Sequence, residues 1–371
     1  MNRRQFLGAS AQLAALAPFA PGVFTQSSQE LPADLTLLYR NALVMDSLCS
    51  PFAGDGLPAS DDALRQVRAS GVTAVNFTVS DRTFEGTVDQ LASACALAER
   101  YPDLFTLVRL HADIARAKRE HRVGLIPGFQ HTQFLEDDPR RIETFRRLGV
   151  RIMQVTYNLR SAFGDGCLEP GNAGLSRAGH EAVGQMNALG VAVDLSHSGD
   201  RTTSEAIEAS SKPVLVTHAG CAALYAHPRN KPDDVLRSLA DRGGYFGVYL
   251  MPYLVASPTV PTREHVVAHL LHAISVCGVD HVGIGSDGSI EAVRLTAEQK
   301  SAFDSDIARR RQLGIGAPGE DRYPYVPDVN GPDHMELLAA ELKKRGQPTS
   351  VVEAVLGANF HRVLGDIWGR P

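Results

Sequence analysis

The chain has no CxxC pair, no GxGxxG after an early strand, no basic stripe and no internal repeat. Each absence removes a class of protein. Its five cysteines (Cys49, Cys95, Cys167, Cys221 and Cys277) stand far apart, so they form neither a zinc ribbon nor a disulfide framework. Without the glycine fingerprint, a dinucleotide-binding doubly wound sheet loses support. The formal net charge is -5 and the pI about 6.2, which excludes a nucleic-acid partner. After residue 24 no apolar run is long enough to cross a bilayer, so no stable span is expected beyond the N-terminus.

What is present begins with a leader. Arg3-Arg4 precede an apolar stretch from Leu7 to Phe24, broken by Pro18 and Pro21, and a polar run from Gln26 to Glu30 follows. A charged start before an apolar segment predicts an export signal over 1–30, and the paired arginines point to the twin-arginine route. The expected mature protein is periplasmic and begins near residue 30.

Beyond the leader, short β-branched runs alternate with helical periodicity. Strands are expected at 42–46, 72–79, 123–129, 150–156, 191–196, 213–217, 245–250 and 281–285. Helices are expected at 61–70, 88–99, 140–148, 177–189, 201–210, 233–241 and 262–277. Continuous apolar runs suit strands covered on both faces. Eight of them alternating with helices predict an α/β fold, a single-domain (β/α)8 TIM barrel over 31–371. A loop or lid insertion is expected at about 288–330, followed by closing helices at 333–346 and 350–368.

In such a barrel the chemistry sits at the carboxyl ends of the strands. There the sequence places Gln130-His131, Tyr157-Asn158, His197, His218 and Ser286-Asp287. Two imidazoles on adjacent strands are a candidate metal pair. Asp287 can take a proton or orient a water, although Asp-Gly is also a turn dipeptide. Arg229, within His227-Pro-Arg-Asn230, could clamp a carboxylate through its forked donors.

Taken together, Gly190-Val-Ala-Val-Asp-Leu-Ser-His197, Pro213-Val-Leu-Val-Thr-His218, His227-Pro-Arg-Asn230 and Gly283-Ile-Gly-Ser-Asp287 resemble the renal (membrane) dipeptidase family, peptidase family M19. The resemblance covers roughly residues 40 to 369. It implies a metallo-dependent-hydrolase barrel in which His197 and His218 bind zinc. Arg229, with Asn230 and Tyr157, would hold a small dipeptide-like substrate, and Asp287 would stand beside the reacting centre.

The chain also departs from that pattern. Leu48 and Ser50 stand where the family carries a His-x-Asp pair of ligands, Gln130 where it carries a bridging Glu, and Tyr157 where it carries a substrate-binding His. A family-type two-zinc centre is therefore not expected, and one zinc or none remains, with Gln130 oxygen as a further donor. Asp46, Cys49, Asp55 and His131 are candidates for a rearranged site. The expected activity is metal-dependent hydrolysis of the amide bond of dipeptides or related N-acyl amino acids. The alternative is an inactive barrel that captures an amino-acid-like ligand; whether the chain forms a homodimer stays open.

Overall fold

Eight short parallel strands carry the apolar runs just described. They are β1 (Met45–Asp46), β2 (Ala74–Thr78), β3 (Val123–Phe129), β4 (Ile152–Gln154), β5 (Ala192–Asp194), β6 (Leu215–Ala219), β7 (Tyr245–Val248) and β8 (Val282–Ile284). The computed structural model describes residues 32–369 except 55–57, 137 and 313–317. The expected leader and Asp55 lie outside the described residues.

Strands β1 to β8 pair in chain order, every neighbour parallel. The sheet is nearly closed into a barrel. The Ser47 N–H donates to the Ile284 carbonyl (2.9 Å) and the Asp287 N–H to that of Leu48 (2.9 Å). Past these bonds, Cys49–Ser50 and Gly288–Ser289 form a separate parallel pair. All eight expected strands are present: β3 has the expected bounds, β6 lies two residues later than expected, and the other six are trimmed at their ends. A further strand, Phe105–Leu107, escaped the sequence reading; it pairs with the first half of β3.

The amino end of the barrel is plugged. Met45, Ala74, Ile126, Ile152, Ala192, Leu215 and Tyr245, one from each of the first seven strands, form a cluster with Phe360, Val363, Leu364 and Ile367. Those last four belong to the closing helix Asn359–Trp368, whose apolar stripe recurs every three or four residues. With that end filled by hydrocarbon, the carboxyl ends of the strands are left to carry polar chemistry. All five cysteines are free thiols. Among the described residues no helix is long and apolar enough to cross a membrane.

The insertion after β8 carries one long helix, Ala297–Gln312, of which only Phe303 is buried. Helices Ala33–Asn41 and His111–Arg119 were also missed from sequence. The latter buries only Asp113, Ile114 and Ala117, too few apolar positions to register as a stripe.

Candidate active site

The strand β5 sequence Val-Asp-Leu-Ser-His delivers His197 just beyond the strand end, and β6 delivers His218 within its own last turn of sheet. Adjacent parallel strands bring the two rings to a centroid separation of 5.0 Å at 62°. Both histidines are buried. Tyr157, from the end of β4, stacks on His197 at 4.1 Å.

Each ring is held in one tautomer by its neighbours. The His197 Nδ1–H donates to Asn158 Oδ1 (2.6 Å). The Thr217 hydroxyl donates to Asp194 Oδ2 (2.7 Å), so it accepts from His218 Nδ1–H (2.8 Å). In both rings Nε2 is left with the lone pair. His218 Nε2 is buried with no hydrogen-bond partner among the described residues. Burial, and then the Arg229 charge, holds both rings well below the usual imidazole range, so both are neutral.

Arg229 is buried beside them, its guanidinium donating to the carbonyls of Ser196 and His218. No carboxylate of the described residues lies within ion-pair distance of it. Asp287 and Tyr157 are within its electrostatic reach. Asp287 sits in the left-handed region (φ +56°), and its Oδ1 accepts from Gln130 Nε2 (3.3 Å). An aspartate tolerates that backbone better than most residues, and such strain marks a held position.

Not every sequence candidate presents a free donor. The Asn230 amide donates to the carbonyls of Tyr225 (2.8 Å) and Tyr253 (3.0 Å) and accepts from the Tyr249 hydroxyl (2.5 Å). It braces the loop that carries Arg229. Asp46 is fully buried; its Oδ1 accepts from the N–H groups of Leu48 and Ser286, and its Oδ2 faces His334 Nε2 at 3.3 Å. Cys49 is buried, its thiol donating to the Ser50 carbonyl (3.3 Å) and pushed well up by burial, so a thiolate ligand is disfavoured. Leu48 is packed in the core, Ser50 is half-buried, and His131 lies half-buried against Phe134.

Sequence reasoning did not single out Asn158, Thr217, Asp194 or Tyr249 for roles. Thr217 lies one residue before the histidine it supports, and that proximity was an available signal; Asp194 supports His218 through Thr217 from the neighbouring strand, which the sequence does not display. Gly166 is a further support. A Cβ there would stand 2.0 Å from the Tyr157 carbonyl oxygen, so only glycine lets this turn lie against the end of β4. Beside the mouth opens a cleft of about 400 Å³ lined by Cys167, Glu169, Asn172, Asp200, His227 and Asn230, among others. The imidazole pair does not line it.

The donor set can be tested against a metal. Leu48 cannot ligate, and Ser50 and Gln130 bring no charge, so two adjacent dications do not fit. Among the described residues no group of three or more His, Cys, Asp or Glu side chains is arranged to hold a metal. One ion fits better: two neutral imidazoles are ready, and the buried, unpartnered His218 Nε2 lacks a partner that such an ion would provide.

Lys231 adds a second buried cation nearby, its Nζ donating to the Ser198 carbonyl (2.5 Å) and the Thr203 hydroxyl (3.2 Å). Burial lowers it from 10.5 to about 8. Between those values the unfolded chain holds the proton and the folded one does not. Stability is therefore expected to rise as pH increases from about 8 towards 10.5. Urea unfolding of the wild type and Lys231→Met across that window checks this; a rise of equal size in the variant would assign it to other groups.

The model of the family described as membrane dipeptidase (peptidase family M19) matches residues 47–304. The chain is 32% identical over 302 residues to dipeptidase verJ of Clonostachys rogersoniana, covering 79% of this chain and 69% of that protein. It is 28% identical over 292 residues to dipeptidase tcpJ of Claviceps purpurea, covering 78% of this chain but only 61% of that one. Among solved structures it is similar to an amidohydrolase from Pseudomonas aeruginosa, at 30% identity and a TM-score of 0.78, covering 91% of this chain and 99% of that one.

Proposed function

The chain belongs to the membrane dipeptidase family, peptidase family M19, and from that premise we propose that it hydrolyses the amide bond of small dipeptide-like or N-acyl amino acid substrates. The observation that carries this reading is the imidazole pair, 5.0 Å between centroids, with both Nδ1 atoms tied off. The names of its relatives, dipeptidase and amidohydrolase, share amide hydrolysis as their chemistry.

His197 and His218 would hold one zinc ion, with the Gln130 oxygen as a further neutral donor. When bound, such an ion supplies a Lewis acid and a water of lowered pKa. The chain's own residues do the rest. Arg229 makes no ion pair among the described residues, so its guanidinium holds the substrate carboxylate against the floor of the site. Asp287, steadied by Gln130, accepts the proton of the attacking water and returns it to the leaving amine. Tyr157 stacks on His197 and walls the site on the β4 side.

A second reading has its own observation. Leu48, Ser50 and Gln130 remove the carboxylates and imidazole of the family's other ligands, which favours capture of an amino-acid-like ligand without turnover. One experiment separates the two. The purified mature protein is assayed on a dipeptide panel with added zinc and with chelator, alongside thermal shift against the same dipeptides. Turnover that needs the ion supports hydrolysis. Stabilisation without turnover under every metal condition assigns the protein to capture.

A further inference from the structure

The insertion touches the barrel mouth through polar bonds. His227 Nε2–H donates to the Pro318 carbonyl (2.6 Å). Arg322 donates to the carbonyls of Thr259 and Val255, both at 3.0 Å. Arg310 pairs with Glu320 at 2.7 Å, tying helix Ala297–Gln312 to the turn that follows. At the base, the Asn330 amide and the Val293 backbone bond reciprocally, each at 2.9 Å. Ile290, Val326 and Val329 anchor the two ends of the insertion in the core; between them its helix buries only Phe303, and the polar bonds above hold that middle part to the barrel mouth.

His227 makes a second bond on its other nitrogen. Its Nδ1 accepts from the Arg229 N–H (3.2 Å), and its ring lies parallel to Tyr253 at 4.6 Å and 9°. Accepting on one nitrogen while donating from the other requires the neutral ring in one tautomer. Burial lowers His227 to about 4, which keeps that form at neutral pH.

We propose that His227 is a positioning residue that couples the seating of the insertion to the placement of Arg229. With Pro318 in place the ring is fixed, and the ring fixes the backbone of the residue whose guanidinium reaches the Ser196 and His218 carbonyls. This rests on the reading of Arg229 as the carboxylate holder: the insertion then governs how well that carboxylate is bound. By reciprocity, a carboxylate at Arg229 stabilises the seated insertion.

Hydrogen exchange on the intact protein tests the coupling without any substrate. Arg322→Ala loosens the insertion by removing its bonds to the Thr259 and Val255 carbonyls, and Glu320→Gln by weakening the pair with Arg310. His227→Gln sets an amide nitrogen where Nε2 was, keeping the Pro318 bond and losing the Arg229 bond. Arg322→Ala and Glu320→Gln are each expected to speed exchange over 318–326 and over 225–231 together. The expected rise is about fivefold, the ratio for one net hydrogen bond. In the His227→Gln background they are expected to speed only 318–326. Unchanged exchange over 225–231, or an equal rise with and without His227, overturns the coupling. A protein that never cleaves a dipeptide still passes or fails this test, so its failure is distinct from that of the hydrolase reading.

Discussion

Asp287→Asn is expected to lower kcat by roughly 10²–10⁴, the range for removing a general acid–base group, with little change in KM. The substitution is well suited to the question. Asparagine tolerates the left-handed backbone that position 287 requires (φ +56°). Its side-chain oxygen can still accept from Gln130 Nε2, now at 3.3 Å from Asp287 Oδ1. The backbone N–H bond to Leu48 (2.9 Å) is untouched. Shape and contacts persist while the capacity to take a proton is gone. A fall in kcat at constant KM reads as an interaction made only in the transition state. Unchanged kcat in a folded variant removes Asp287 from the chemistry.

The triple variant L48H/S50D/Q130E is expected to bind two zinc ions per chain where the parent binds one. The three substitutions return an imidazole and two carboxylates to the places where the family carries ligands. Their charges matter as much as their geometry. Gln130 now donates to Asp287; a glutamate there sets two carboxylates face to face, unfavourable until a cation lies between them. The triple variant should therefore lose thermal stability without metal and regain more than the parent does when zinc is added. Zinc per chain, with melting temperature measured with and without the ion, checks both halves. No gain in bound zinc would mean that these three side chains are not what reduces the site.

Much of this arrangement was legible in the residues. The eight strands showed as β-branched runs because both faces of a parallel barrel strand are covered. Six of them were drawn too long, since buried apolar residues continue past the strand ends, as Val79 and Val155 do, each still donating its N–H to a neighbouring strand (2.9 and 3.1 Å). Phe105–Leu107 was missed because three residues beside half of β3 leave no periodicity to read. The imidazole pair was legible from strand position alone.

The supports of that pair were less legible. Whether Asn158 meets His197, or Thr217 relays Asp194 to His218, depends on rotamers and register that one sequence does not display. Asn230 shows the converse. Its place in His-Pro-Arg-Asn suggested contact with substrate, whereas its amide is taken up by Tyr225, Tyr253 and Tyr249. Asp46 likewise has the chemistry of a ligand, but it is spent fastening β1 to the turn after β8 and facing His334.

Zinc per chain, measured in the wild type and in His218→Ala after equilibration against limiting free metal, reaches the heart of the matter. One ion is expected in the wild type and none in the variant, with dipeptide turnover following the metal. A wild type that holds no zinc, or a variant that holds as much, would contradict this.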